Sequence, residues 1–437
     1  MLMNLKNTHA VISSALLILM TVIAPRLEAS DVKLQVGITG SNNLEGLEDP
    51  VSVAAIPEVS RLFQAIADQP RSAEYLQKAL ENSGVDLDRL LDLGLIKAWD
   101  GAYAINFNYL TLEDHVMLVT TLVPYAEILA QSYRDRWSEF EAIFAAYDPL
   151  GVSADEVAFV VVGAISLDWD GLDITAAKDL RITAKNLPEA RDFIIWAKEQ
   201  SKEKNVKELY WGSHNEIVNG VRFTTFGDHY TVPRLAFPDL LWSTSSRVAD
   251  IDGASRSLRI GVYQALEPYY QNDFLSDVGP ILRVLRQGPR TGHLITETTG
   301  VEEDRVDATL LLLKELQYVE ETDGSFLLST PFFSRNDKSM IDAARSLSWQ
   351  LMHDWLDLYY STVEASLGEL TAIKYGVPYK QLYTEIWHYV FGLVNKSLVQ
   401  SGHFANPYAE GRLSKAIIPF AFDTEVVDVR TEARIDD

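Results

Sequence analysis

The chain has 437 residues, a formal net charge of −24 and a hydrophobic fraction of 47%. That length accommodates two or three domains with sizeable cores, and the acidic balance disfavours nucleic acid and anionic membranes as partners. The absence of cysteine excludes disulfides, thiolate metal sites, cysteine nucleophiles and a lipoprotein anchor.

Residues 1–30 read as a signal peptide. Lys6 supplies the positive charge, residues 10–24 the apolar core, and Leu27-Glu28-Ala29 the cleavage site before Ser30. The core falls short of the about 20 apolar residues of a membrane span. A periplasmic or secreted prokaryotic location is therefore expected; the alternative is an uncleaved anchor at the inner membrane, with residues 10–24 the only membrane contact.

Residues 31–150 form the first expected unit. Residues 31–55 read as a flexible leading segment with a short strand at 32–36, and residues 56–67 as a helix. From Gln69 to Tyr109 the chain carries a shorter version of residues 289–333. Pro70-Arg71-Ser72 echoes Pro289-Arg290-Thr291. Ser83-Gly84-Val85 echoes Thr299-Gly300-Val301 at an offset of 216, and Trp99-Asp100-Gly101 echoes Thr322-Asp323-Gly324 at 223. The seven-residue difference is about two helical turns. An insertion of that size lengthens a helix and keeps its buried face in nearly the same direction. Duplication is one reading of these echoes; convergent use of the same turn chemistry is the other. Thr111-Leu112-Glu113-Asp114 caps a long helix along which Leu118, Leu122, Tyr125, Leu129, Tyr133, Trp137, Phe140 and Phe144 recur at helical steps, with a kink expected at Pro124.

Residues 151–245 are expected to hold an apolar helix and a β-hairpin. Ser153-Ala154-Asp155-Glu156 is a capping box opening an apolar run at 157–167 that reads as buried on all sides. Asp168-Trp169-Asp170 ends that helix, with turn formation preferred over metal or acid–base work. Residues 186–205 read as a charged surface helix. Asn219-Gly220 between two strand-like runs is the best hairpin signal in the chain, and pairing Val218 with Val221 sets partner numbers summing to 439. His214, Asp228 and His229 are the candidate catalytic residues and the only cluster with metal-ligand chemistry. In that register His214 faces Thr225 and lies roughly 13 Å from His229, so a shared site requires Gly227 to break the strand, and no metal site is assigned. Trp211, Arg222 and Arg234 are the candidate ligand-binding residues. Residues 231–242 read as a packed loop or lid, and residues 243–257 as a boundary.

The second unit, residues 258–370, repeats the pattern. Helices are expected at 281–287 and 292–298. Thr299-Gly300-Val301-Glu302 has capping-box spacing for a Leu-rich helix from Val301, and Asp323-Gly324 turns a hairpin. Ile341, Ala344, Ser348, Leu351, Trp355 and Leu358 then mark a second long helix, which reads as one of a packed pair rather than as a ligand box. Gly376-Val377-Pro378 opens a buried helix at 379–399 within a C-terminal helical segment, residues 371–422, followed by a frayed tail at 423–437.

The helix start at Thr299-Gly300-Val301, the Leu-rich run and the Asp323-Gly324 turn resemble the winged helix-turn-helix family. The likeness is greatest to the dimerisation winged helix that precedes the catalytic domain of small-molecule methyltransferases. The resemblance implies a three-helix module with a wing hairpin, used for DNA binding or for association between proteins. Methyltransferase activity does not carry over, because no Gly-rich turn follows a strand downstream. DNA binding is disfavoured, because the helix that would enter the groove carries Glu302, Glu303, Asp304 and Asp307 against Arg305 and Lys314.

The expected fold class is thus α+β, mainly α: two winged-helix modules, each followed by long helices, with one extra β-hairpin in the middle. The expected function is an exported protein- or ligand-binding scaffold, meeting a protein partner or a second copy through its winged helices, with no cofactor implied. The alternatives are a small-molecule hydrolase or metalloenzyme using residues 210–242, and a membrane-tethered winged-helix transcription regulator.

Overall fold

The structure, a computed structural model, describes residues 32–40, 49–147, 152–183, 193–201, 212–218, 220–227, 273–315, 318–408 and 417–427. Among these the chain is mainly helical with small sheets, an α+β fold. It opens with strand β1 (Val32–Gly40) and helices α1 (Pro50–Ala54), α2 (Pro57–Asp68), α3 (Ala73–Leu80) and α4 (Leu87–Asp92). The hairpin β2 (Ile96–Trp99) and β3 (Ala102–Ile105) follows, then β4 (Asn108–Leu110). Arg71, between α2 and α3, bridges to Tyr103 of β3. Next come α5 (Leu112–Asp135), α6 (Trp137–Phe144), α7 (Ala154–Ala158), a π-helix (Phe159–Asp170), α8 (Gly171–Ala177) and β5 (Phe193–Ser201).

The hairpin β6 (Gly212–Val218) and β7 (Val221–Gly227) begins the second half. Helices α9 (Asp273–Leu285), α10 (Gly292–Thr299) and α11 (Glu303–Glu315) follow, then the hairpin β8 (Val319–Thr322) and β9 (Ser325–Leu328), and β10 (Phe332–Phe333). A single 3-10 turn leads into α12 (Lys338–Ser366), α13 (Thr371–Lys374), α14 (Tyr379–Gln400) and β11 (Ile417–Asp423). Arg290, between α9 and α10, bridges to Phe326 of β9, as Arg71 does to Tyr103.

Several elements of the two halves correspond. Both hairpins turn on an Asp-Gly pair with positive φ at both residues, 45° and 76° at Asp100-Gly101 and 52° and 76° at Asp323-Gly324, the geometry that suits a two-residue loop. Helix α4 has 6 residues and α11 has 13, a difference of seven, the same as the change in sequence offset. A capping box of Thr111 with Asp114 starts α5, and one of Ser334 with Asp337 starts the 3-10 turn that leads into α12. The sheets match in register. Ala197 of β5 pairs antiparallel with Val36 of β1 and parallel with Tyr109 of β4. Ala421 of β11 pairs antiparallel with Phe223 of β7 and parallel with Phe332 of β10. The halves also interlock: α5 of the first packs on α14 of the second, and α12 of the second packs on the π-helix of the first.

The apolar side chains form two cores. One joins α1–α4 to the sheet β1-β5-β4 through Leu62, Phe63, Ile66, Leu90, Phe107 and Ala197. The other runs without a break from α9–α11 through the helical bundle to β11.

Four sequence expectations are corrected. Residues 193–201 lie in a central strand, not a surface helix, because the charged side chains that suggested solvent are engaged inside the protein. Thr299 does not cap a helix at Val301. It is the last residue of α10, Gly300 takes the left-handed conformation, and α11 starts at Glu303. Asp168-Trp169-Asp170 makes no turn, since the helix continues through α8 to Ala177. In the leading segment the strand expected at 32–36 extends to Gly40, and residues 50–54, expected to be flexible, form α1.

Candidate functional site

The hairpin nominated by sequence forms in the expected register, Val218 opposite Val221 and His214 opposite Thr225. Arg222 is half-buried on β7, paired with Ile217 and with Phe422 of β11. Gly227 ends β7 with φ 142°. Asp228, His229, Trp211 and Arg234 lie outside the described residues, as do the loop 231–242 and the boundary 243–257. Among the described residues no group of three His, Asp or Glu side chains is placed to hold a metal ion.

The chemistry of the hairpin is instead at Ser213. Its hydroxyl accepts from the Trp169 indole Nε1 at 2.7 Å and donates to the Asp168 carboxylate at 3.1 Å. Asp168 is buried at the end of the π-helix, and burial lifts its pKa to about 7, with the Ser213 hydrogen bond pulling the other way. Two residues on, Asp170 takes both arms of Arg345 from α12, at 2.9 and 2.6 Å. The two aspartates of this motif thus have different environments, one held by a hydroxyl and one by a guanidinium. A strongly shifted buried carboxyl is a feature of functional sites, but Ser213 is fixed between two partners and is not poised as a nucleophile. The arrangement ties the hairpin and α12 to the π-helix.

A second polar centre lies in the seam between the two cores. Lys198 of β5 and Glu385 of α14, both buried, form an ion pair, and the Lys198 ammonium sits 4.7 Å from the centre of the Trp196 ring. His115 of α5 hydrogen-bonds through Nδ1 with the Tyr389 hydroxyl of α14. Glu199 accepts from the Tyr109 hydroxyl at 2.8 Å and the Leu112 amide at 3.1 Å. Asp114 accepts from the Thr371 amide at 2.9 Å. Burial pushes His115 down to about 4, and the Lys198 charge adds to the effect. Burial would raise Glu385, but Lys198 and His388 outweigh it and hold the carboxyl below its ordinary range. Asp114 and Glu199 are raised by burial, opposed by the hydrogen bonds they accept. Sequence reasoning passed over Lys198 and Glu385. The available signal was a Lys-Glu pair directly after the apolar residues 193–197.

The outer faces of the repeated modules are acidic. Glu302, Glu303, Asp304 and Asp307 of the second module are exposed, with Glu320, Glu321 and Asp323 on its hairpin. The two cations that could offset them are engaged: Arg305 donates twice to Asp277, at 2.7 Å each, and Lys314 to Glu321 at 2.8 Å. Leu311 stands 58% exposed among these carboxylates. On the first module a cleft of about 400 Å³ is lined by Glu81, Asp86 and Asp88 beside Leu80 and Val85. No helix among the described residues is long and apolar enough to cross a membrane. Comparison with known proteins finds no family model, no curated protein and no solved structure that matches this chain.

Proposed function

We propose that the chain is an exported binding scaffold built from a duplicated winged-helix module, and that its partner is a protein that meets the outer face of the second module. The observation that carries this reading is the state of α11. Its outward face holds Glu303, Asp304, Asp307 and an exposed leucine, with Glu302 just ahead of it, while its Arg and Lys are paired with Asp277 and Glu321. Affinity for a duplex comes largely from Lys and Arg on phosphates, and this face would repel them. A surface of carboxylates around an apolar anchor suits a polypeptide carrying Lys or Arg beside apolar side chains. Export rests on residues 1–30 as read above.

The test places a photo-crosslinking residue at Leu311 in the native cell, with Ser361, exposed on α12, as the control position. A protein adduct formed from position 311 and not from 361, on a chain whose intact mass starts near Ser30, is expected. Adducts to nucleic acid, or a full-length chain in the cytoplasm, would overturn the reading. So would binding of the purified chain to duplex DNA with a steep salt dependence.

A further inference from the structure

The repeat supplies an internal control for the buried charges of the seam. Strands β5 and β11 occupy matching places, with Ala197 and Ala421 at the same register position. The next residue on each strand is Lys198 on β5 and Phe422 on β11. Phe422 lies 5.9 Å, ring centre to ring centre, from Trp169 on the π-helix of the opposite half. Lys198 reaches Glu385 on α14 of the opposite half. The same junction is thus closed by an aromatic pair on one side and by a buried ion pair on the other. Desolvating two charges costs free energy that apolar side chains of similar volume do not demand. At the twin junction the strand residue itself carries no charge, and the buried Asp168 and the Asp170–Arg345 pair on that side are held by the hairpin and by α12.

The cores are divided in the same uneven way. The second module shares one continuous core with the bundle, whereas the first has its own, and polar groups fill the seam between them. Facing one another there are Tyr109 of β4, Asp114 and His115 of α5, Lys198 and Glu199 of β5, and Glu385, His388 and Tyr389 of α14. The charge of Arg181, which follows α8, also lowers His388. Glu385 is the carboxylate paired with Lys198, so a second cation at His115 would stand beside Lys198 and compete for the same partner.

We propose that this seam is an acid-released latch: protonation of His115 frees strand β5, and the first module with it, from helix α14, while the second module stays in place. As a neutral ring His115 can accept through Nδ1 from the Tyr389 hydroxyl. A proton on Nδ1 removes the acceptor that the Tyr389 hydroxyl uses. The sign follows from the direction of the shift. The group falls from 6.5 to about 4 on closure, so the open form binds more protons between those values. The stabilisation is complete above about pH 6.5 and is lost as the pH falls toward 4. His388, also lowered by burial, acts in the same direction. Asp114 and Glu199, raised by burial, act in the opposite one, so the contribution of His115 is read by difference.

Amide exchange on the full chain makes the test, with protection of β5 measured against β11 as internal reference. Between pH 7.5 and 5, protection of β5 is expected to fall relative to β11 in the wild-type chain. His115→Gln cannot take up the proton. The ratio of its relative protection to that of the wild type should grow by about thirty-fold over that range, the factor given by the two values above. His115→Asn is the companion variant, so a packing defect in one amide does not decide the outcome. Parallel loss of protection in β5 and β11 would overturn the latch. A pH-independent ratio between wild type and both variants would overturn it as well, since a merely structural histidine shifts protection equally at every pH.

Discussion

Asp168 shows how far a single residue can be read without its surroundings. The sequence places it in a pair of aspartates beside a glycine, which suggests a turn. The structure buries it in a helix with a serine hydroxyl from a distant hairpin, a contact that no local pattern encodes. His214 is the reverse case: its register opposite Thr225 follows from Asn219-Gly220 alone, because a two-residue turn fixes which residues pair. The pH dependence of Asp168 can be predicted. Its pKa rises from 3.8 to about 7 on folding, so the folded form binds more protons in that window. The stability it contributes is present below about pH 4 and is lost as the pH rises through 7. Asp168→Asn keeps an acceptor for the Ser213 hydroxyl and does not titrate. The variant is expected to gain stability over the wild type as the pH rises from 4 to 8, by on the order of a few kcal/mol. Denaturant midpoints across that range measure it, and parallel profiles for the two chains would refute the assignment.

At the scale of elements, periodicity and turn chemistry carried most of the information. The helices α2, α10 and α14 lie close to their expected bounds, the stripe from Leu118 to Phe144 is divided between α5 and α6, and the seven-residue difference between the modules falls in the third helix. Strand β5 was misread because its Lys198 and Glu199 look solvated, and only partners far along the chain, Glu385 and Tyr109, show otherwise. The pitch of the π-helix was also invisible. A run that is apolar on every face has no periodicity to measure, and all twelve of its residues are buried. Its packing rests on Gly171, where a Cβ would lie 2.6 Å from Cε2 of Trp387. That indole donates to the Leu167 carbonyl at 2.9 Å. Gly171→Ala should therefore displace the ring and leave a buried donor unpaired, costing about 2–4 kcal/mol. Trp387→Phe in the same chain should recover part of the loss, because the two sites are in contact. Thermal unfolding of the single and double variants checks this, and simple additivity would show that the clash is not the cause.

On the scale of the whole molecule, the sequence suggested a repeat but not how the two halves interlock. Turn dipeptides and caps are local, whereas the packing of α5 on α14 and of α12 on the π-helix depends on helix faces meeting across the chain. The division of the core is likewise a tertiary property, and it has a consequence for unfolding. Leu62 belongs to the core of the first module and Leu313 to the continuous core of the second module and the bundle, and both are buried. Truncating either to alanine removes comparable apolar volume and should cost about 2–5 kcal/mol locally. In a body with one core, that loss lowers a single cooperative transition. In a body with two cores joined by a polar seam, the weakened part can open first. Leu62→Ala is thus expected to split the calorimetric transition into two steps, the earlier one confined to residues 49–110 and β5. Leu313→Ala should shift the main transition as a unit, because no seam separates the second module from the bundle. A single unsplit transition in Leu62→Ala at every pH would mean that the first module is held as firmly as the second. The ion pair between Lys198 and Glu385 would then be acting as a fastening and not as a release.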